Sequence, residues 1–346
     1  MKVLFLTPWY PSEKDAMAGL FVQKHVEAVR AQGCDVRVID APEWIGIWRQ
    51  WRALQKEGWM PDIVQLNVIQ KQGLLARYLK RRYKIPYVII EHWSGFLPEN
   101  GAYMRNNGPL KRKLYEHIAT QASVIMPVSN RLKEAMQTCG IHNARWEKIY
   151  NVVDDFFYEQ PVSTISNDGI KTILHVSCFD EQAKNVKGLL RAAKSLSEKR
   201  QDWRLVLVGT GIDYKEVRTY AEELEIPKTL LHWTGELIPQ EVAKEMQKAD
   251  VFVLSSNYEN APVVLSESMA SGTPIIATRA GGMPEMVSKE CGVLVPPRDD
   301  QALSKAMNYM LDHYSEYDPI LIRQHGEKYS FENVGKQLKA IYESVL

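Results

Sequence analysis

The sequence predicts an α/β protein of two doubly wound domains, and three observations carry that prediction. Short apolar runs rich in β-branched residues, such as Val3–Leu6, Ile63–Leu66, Tyr87–Ile90 and Thr172–Ser177, alternate with stretches of helical periodicity. The strand–loop–helix series occurs twice, on either side of a polar segment, residues 160–169, that breaks every periodicity and reads as a linker. A length of 346 residues suits two domains of ordinary size, each able to bury a core.

Composition narrows the function classes. Hydrophobic residues at 45% and charged residues at 25% are the balance of a soluble globular chain. A formal net charge of +1 argues against a nucleic-acid partner as the main role. The four cysteines, Cys34, Cys139, Cys178 and Cys291, lack Cys-x-x-Cys spacing, which fits reduced cytosolic thiols and gives no zinc motif. The run Val3–Leu6 meets Pro8 too early for a signal-peptide core. Nowhere do ~18 apolar residues follow one another, as a spanning helix needs. A soluble, cytoplasmic protein is expected, or one that sits peripherally on the inner face of the membrane.

In the first domain, residues 2–7 read as a buried strand, followed by a turn, Pro8–Ser12, and the small pair Ala18-Gly19. A helix from about Leu20 to Gln32 and a strand, Asp35–Ile39, complete a βαβ unit whose loop lies at the carboxyl edge of the sheet. Gly19 there would let the backbone approach a phosphate or an acceptor closely. Trp44, Ile47, Trp48, Trp51 and Leu54 recur at helical spacing with Arg49, Arg52 and Lys56 between them. That pattern fits either a helix packed on the sheet or an interfacial helix with aromatic anchors. Arg77, Lys80, Arg81, Arg82 and Lys84 form a basic helix, and Lys111-Arg112-Lys113 a second cluster; both read as solvated faces or as contacts to anionic lipid. His92 begins the segment after the Tyr87–Ile90 strand, at the edge where α/β ligands bind. Val124–Ser129 is a further strand.

In the second domain, Thr172–Ser177 is a strand, Val186–Leu196 a helix, and Arg204–Val208 a strand ending in the turn Gly209-Thr210-Gly211. Ala249–Leu254 reads as another strand and leads through Ser255–Pro262 into a helix containing Ser268–Ser271. Such a junction presents unpaired N–H groups and a helix dipole to an anion, with Pro262 in the first turn. Glu259 and Glu267 bracket it, with seven residues between them. Carboxylates accept hydrogen bonds from hydroxyls, so this pair suits a ligand with both phosphates and hydroxyls, although either glutamate would also fit a solvated surface. Gly272–Thr278 is the next strand, ending near Gly281-Gly282, and Gly292–Pro297 follows.

Taken together, Glu259-x7-Glu267, Gly272-Thr273-Pro274 and Gly281-Gly282-Met283-Pro284-Glu285 resemble the donor-binding signature of retaining GT-B glycosyltransferases of the family 4 type (glycosyl transferases group 1). The resemblance covers nearly the whole chain and is weakest over residues 40–60. It implies a GT-B fold of two Rossmann-like domains facing a cleft. Residues 1–160 would bind the acceptor, 161–330 the nucleotide-sugar donor, and the last helix, 331–346, would cross back to the first domain.

By the same resemblance Glu259 takes the donor sugar, Glu267 the nucleotide ribose, and His92 faces the donor sugar. Lys184 stabilises the leaving diphosphate, with Glu259, Lys184 and His92 forming the catalytic group. Gly19, Gly209, Asn260, Ala261, Val263 and Val264 join Glu267 in donor binding, the last three through backbone amides. The family places an arginine where Cys178 stands, so that Lys187 or Arg279 would have to replace it. The loop at Ala18-Gly19 keeps one glycine of the usual pair, and Asn151-Val152-Val153-Asp154 resembles the family's Asn-Gly-Val-Asp turn with valine for glycine. The expected reaction is retaining transfer from a nucleotide sugar to a glycan or lipid-linked acceptor in surface polysaccharide or glycolipid synthesis. No cofactor or essential metal is expected. A nucleotide-sugar epimerase on the same fold and a non-catalytic nucleotide-sugar binding protein stay open as alternatives, the second favoured by the missing arginine.

Overall fold

The computed structural model describes residues 1–13, 17–159 and 169–346. Most of the expected linker, 160–168, lies outside the described residues. The chain forms two compact units, Met1–Val152 with Tyr329–Leu346, and Val153–Lys328. The change of unit falls at Val152/Val153, ahead of residue 160, because the short helix Phe156–Glu159 already belongs to the second unit. Phe157 is buried there, and the Tyr158 hydroxyl donates to the Gly326 carbonyl at 2.8 Å.

The first unit holds β1 (Lys2–Leu6), β2 (Asp35–Ile39), β3 (Ile63–Asn67), β4 (Tyr87–Glu91) and β5 (Val124–Pro127). They pair in parallel in the order β2-β1-β3-β4-β5. Every residue of β3 and β4 is buried, the four apolar residues that open β4 and the buried polar Gln65 and Asn67 of β3 included. Helices lie along this sheet, among them Leu20–Ala31, Trp44–Lys56, Gly73–Tyr83 and Pro109–Gln121. The last helix, Phe331–Glu343, packs on Leu20–Ala31 so tightly that a Cβ at Gly335 would lie 2.7 Å from the Ala28 carbonyl oxygen. Its Tyr342 hydroxyl is hydrogen-bonded to the buried Gln65 side chain of β3.

The second unit holds β6 (Lys171–Val176), β7 (Trp203–Val208), β8 (Leu231–Gly235), β9 (Val251–Leu254), β10 (Ile275–Thr278) and β11 (Gly292–Val295). These are parallel in the order β11-β10-β9-β6-β7-β8. Helices Val186–Ser197 and Asp300–His313 pack on each other, and with the sheet they enclose a core of Ile173, Leu189, Leu190, Trp203, Leu205 and Val253. Each such side chain contributes about 1.5–3 kcal/mol by leaving water.

Strand order decides where a ligand goes. In each sheet the chain winds outward in both directions from a central pair, β1/β3 in the first and β6/β9 in the second. At such a switch point the loops leaving the carboxyl ends diverge and open a crevice. In the second unit those loops are 177–185, after β6, and 255–262, after β9.

Candidate active site

The two switch-point loops of the second unit are bonded to each other. The loop after β6 folds as a short turn, Glu181–Lys184, capped by Asp180, whose carboxylate accepts from the Ala183 N–H at 3.3 Å. Asn185 breaks it with a left-handed backbone, φ +51°, before the helix Val186–Ser197 begins. The loop after β9 docks on that turn. Asn257 donates its N–H to the Ala183 carbonyl (2.7 Å) and its Nδ2 to the Gln182 carbonyl (3.0 Å). The Ser255 hydroxyl donates to the Lys184 carbonyl at 3.0 Å.

This scaffold brings Lys184 and Glu259, 75 positions apart in sequence, into a direct ion pair through Nζ and Oε1. Both side chains are largely withdrawn from solvent, 16% and 13% exposed. Burial acts to lower the Lys184 pKa, but the Glu259 carboxylate outweighs it, and the ammonium is held more tightly than usual. The Ser256 hydroxyl donates to the same Glu259 oxygen at 3.0 Å. A buried pair of this kind is stable only when the remaining lone pairs are also satisfied, which Ser256 does in part.

From below, Gly281 and Gly282 hold the Glu259 backbone. Gly282 donates its N–H to the Glu259 carbonyl at 2.9 Å, and Gly281 has φ +56°. After the loop, helix Val263–Ser271 starts with Pro262 at the N-cap, one place earlier than the first-turn position expected of it. No side chain caps this end, so the first-turn N–H groups at Val263 and Val264 have no intrahelical acceptor. Asn260 is buried beside them. Glu267 lies one turn further along, where burial, with the Asp154 carboxylate adding to it, pushes its pKa up to about 8.

The glycines expected to meet the donor are occupied by the protein itself. At Gly209, φ +121°, a Cβ would fall 2.0 Å from the Ser177 carbonyl oxygen; at Gly19, φ +68°, 2.4 Å from that of Trp9. Both permit close approach of neighbouring loops. Lys187 does not stand in for the missing arginine: its ammonium pairs with Glu216 and lies 5.3 Å from the Tyr220 ring centre. Arg279 is exposed at the end of β10, and Cys178 is exposed beside Lys184.

In the first unit His92 follows β4. Its ring lies 4.4 Å from Phe21 and 5.5 Å from His25, centre to centre. Burial, together with His25, holds its pKa well below the usual imidazole range, and Asn151 is hydrogen-bonded to it. The segment is fixed from behind by Glu91, whose carboxylate accepts from the N–H groups of Ile69 (3.0 Å), His92 (3.1 Å) and Trp93 (3.0 Å).

Sequence reasoning missed Ser256, Asn257 and the Glu91 carboxylate as parts of these scaffolds. A hydroxyl three residues before Glu259 was the one local signal available. It missed Arg298 as well, whose Nε donates to Asn257 Oδ1 at 3.3 Å.

The fold is thus two α/β units, the second of which gathers a buried ion pair and an uncapped helix N-terminus at its switch point. The profile "Glycosyltransferase Family 4" matches residues 2–155, and "Glycosyl transferases group 1" matches residues 158–322. The chain belongs to this family and is a glycosyltransferase of the GT-B fold. It is 26% identical over 335 residues to the uncharacterized glycosyltransferase MJ1607 of Methanocaldococcus jannaschii, covering 89% of this chain and 83% of that one. It is 34% identical over 194 residues to the D-inositol 3-phosphate glycosyltransferase of Corynebacterium urealyticum, covering 51% of this chain and 45% of that protein. Among solved structures, Anabaena Alr3699/HepE in complex with UDP superposes with a TM-score of 0.77 at 18% identity, over 99% of this chain and all of that one.

Proposed function

We propose that the chain transfers a sugar, with retention at the anomeric carbon, from a nucleotide-diphospho-sugar to a glycan or lipid-linked acceptor in surface polysaccharide or glycolipid synthesis. The observation that carries this is the buried Lys184–Glu259 pair beside an uncapped helix N-terminus. Breaking the sugar–phosphate bond leaves negative charge on the diphosphate. A fixed ammonium and aligned N–H groups stabilise that charge more in the transition state than in the ground state. Glu259, held by Lys184 and Ser256, is assigned to the sugar hydroxyls, and Glu267 to those of the ribose. Charge stabilisation is assigned to these groups, without an essential metal or other cofactor. His92 is assigned to the donor sugar, whereas Gly19, packed on the Trp9 carbonyl, is left without a ligand role.

The lipid-linked acceptor is supported by one surface of the first unit. Helix Trp44–Lys56 buries Ile47 and Trp51 but leaves Ile45 81% and Trp44 39% exposed. The rings of Trp44, Trp48, Tyr78 and Tyr83 continue edge to face onto helix Gly73–Tyr83, beside Arg77, Arg81 and Arg82. Lys80 of that cluster turns inward to the Gln121 carbonyl at 2.6 Å. Aromatic anchors flanked by arginines suit the face of an anionic membrane, so we place the enzyme in the cytoplasm, at the inner leaflet. Among the described residues no helix is long and apolar enough to cross a membrane.

A thermal-shift screen of UDP-, GDP- and ADP-sugars tests the donor assignment. A cognate donor at 100 times its Kd stabilises by ~2.7 kcal/mol. The glycosidic product made from that donor is then analysed by NMR for its anomeric configuration. No shift from any nucleotide sugar, or an inverted product, would sink the proposal.

A further inference from the structure

Arg298 follows β11 in the turn Pro296-Pro297-Arg298-Asp299, with a left-handed backbone, φ +59°. A side chain there crowds its own backbone, a strain that glycine does not feel. Retaining an exposed arginine in a glycine-like conformation points to a use for the side chain.

Its guanidinium turns back onto the loop that carries Glu259. Nε donates to Asn257 Oδ1 at 3.3 Å, and Asn257 is bonded in turn to the Gln182 and Ala183 carbonyls, immediately before Lys184. One side chain therefore separates Arg298 from the Lys184 turn. Of the nearby lysines, Lys187 is committed to Glu216, while Lys184, paired with Glu259, is the cation already assigned to the diphosphate. Among the described residues no carboxylate pairs with Arg298. Its two terminal nitrogens are left as a planar fork, the geometry that matches two oxygens of a phosphate.

We propose that Arg298 is a second cation for the anionic part of the donor, binding the diphosphate from the β11 side and supplying the charge that Cys178 does not. This rests on the donor site proposed above. The arginine reaches the loop cluster from a different strand than the cysteine, so the charge comes from the loop after β11, with Asn257 orienting the guanidinium through Nε.

Calorimetric titration of wild type, K184A, R298A and R298G with UDP, GDP and inorganic pyrophosphate tests it. Both Arg298 variants are expected to weaken pyrophosphate and the tighter-binding nucleotide about tenfold, the size of one charge-assisted hydrogen bond. R298G, relieved of its strained φ, is expected to melt no lower than wild type. Weakening by K184A with no effect in either Arg298 variant overturns the Arg298 role alone. Binding of none of the three anions by wild type, or binding indifferent to K184A, removes the donor site itself and the proposal with it. A lowered melting temperature in R298G marks the arginine as part of the fold and also overturns the proposal.

Discussion

The Cβ that Gly281 lacks would fall 1.6 Å from the carbonyl oxygen of Glu259. The Glu259 carboxylate is therefore positioned through its backbone by a residue 22 positions away, on the loop after the adjacent strand β10. Gly281→Ala is expected to destabilise the protein by about 2 kcal/mol or more, from the left-handed φ and the clash together. It should also lower kcat by displacing Glu259. Gly33→Ala is the matched control. That residue has φ +79° but nothing within 4 Å of the added carbon, so activity should persist after a loss of about 1 kcal/mol. Chemical denaturation and steady-state kinetics on both variants decide it. Equal behaviour would remove the clamp.

Lys184, Glu259 and Glu267 should fail in different ways. Lys184→Ala removes a main stabiliser of the leaving charge and should cut kcat by roughly 10²-fold or more. Glu259→Gln should lower kcat with a smaller effect on KM, because its sugar changes charge and shape during reaction. Glu267→Gln should raise the donor KM and leave kcat near wild type, because ribose contacts are the same in both states. Wild-type kinetics in both glutamate variants would remove the pair from the donor site.

Glu267 also makes a prediction about pH. Its carboxyl is raised from an ordinary 4.5 to about 8, so the fold holds this proton more tightly than the unfolded chain does. The stability it contributes is fully present below pH 4.5 and is lost as pH rises through about 8. Glu267→Gln cannot ionise, so its melting temperature should gain on wild type across that window. Ribose hydroxyls donate to the ionised form, so nucleotide affinity should climb with pH toward about 8 in wild type and stay flat in the variant. A pH-independent difference between the two would show that Glu267 titrates normally.

Association with lipid should depend on salt. Sedimentation with vesicles rich in anionic lipid is expected to carry down the protein at low ionic strength and release it as salt rises, since exposed charges are screened beyond a Debye length of ~10 Å at 0.1 M. The Trp44 and Ile45 side chains and the Lys111–Lys113 cluster, next to the 86%-exposed Leu110, should all contribute. Equal binding to neutral vesicles, or none to either, contradicts a charged docking face.

Much of this was legible in the residues, for physical reasons that differ by element. β4 is buried on both faces and announces itself as an apolar run, Tyr87–Ile90, and β3 through Ile63, Val64 and Leu66. β8, Leu231-His232-Trp233-Thr234-Gly235, went unread because it is an edge strand, and partial exposure leaves its sequence mixed. Glu259 and Glu267 were found because the helix junction and the motif spacing mark them. Lys184 was named with them by resemblance, but its direct pairing with Glu259 was not, since the two meet only through the pairing of β6 with β9. Arg298 had no signal at all: its role lies in a backbone angle that sequence pattern reserves for glycine.

The chain leaves its first unit at Val152 and re-enters it at Tyr329. On the ribosome, the second unit is thus fully synthesised before the first can be completed. Until the final helix emerges, the Gln65 side chain lacks its Tyr342 partner and the Leu20–Ala31 helix lacks its cover. The second unit can fold first, with the opening unit waiting as a five-stranded sheet and helix Leu20–Ala31 that still lack their covering helix. Stop codons or proteolytic nicks near the carboxyl terminus should therefore injure the amino-terminal half, at a distance in sequence that hides the cause.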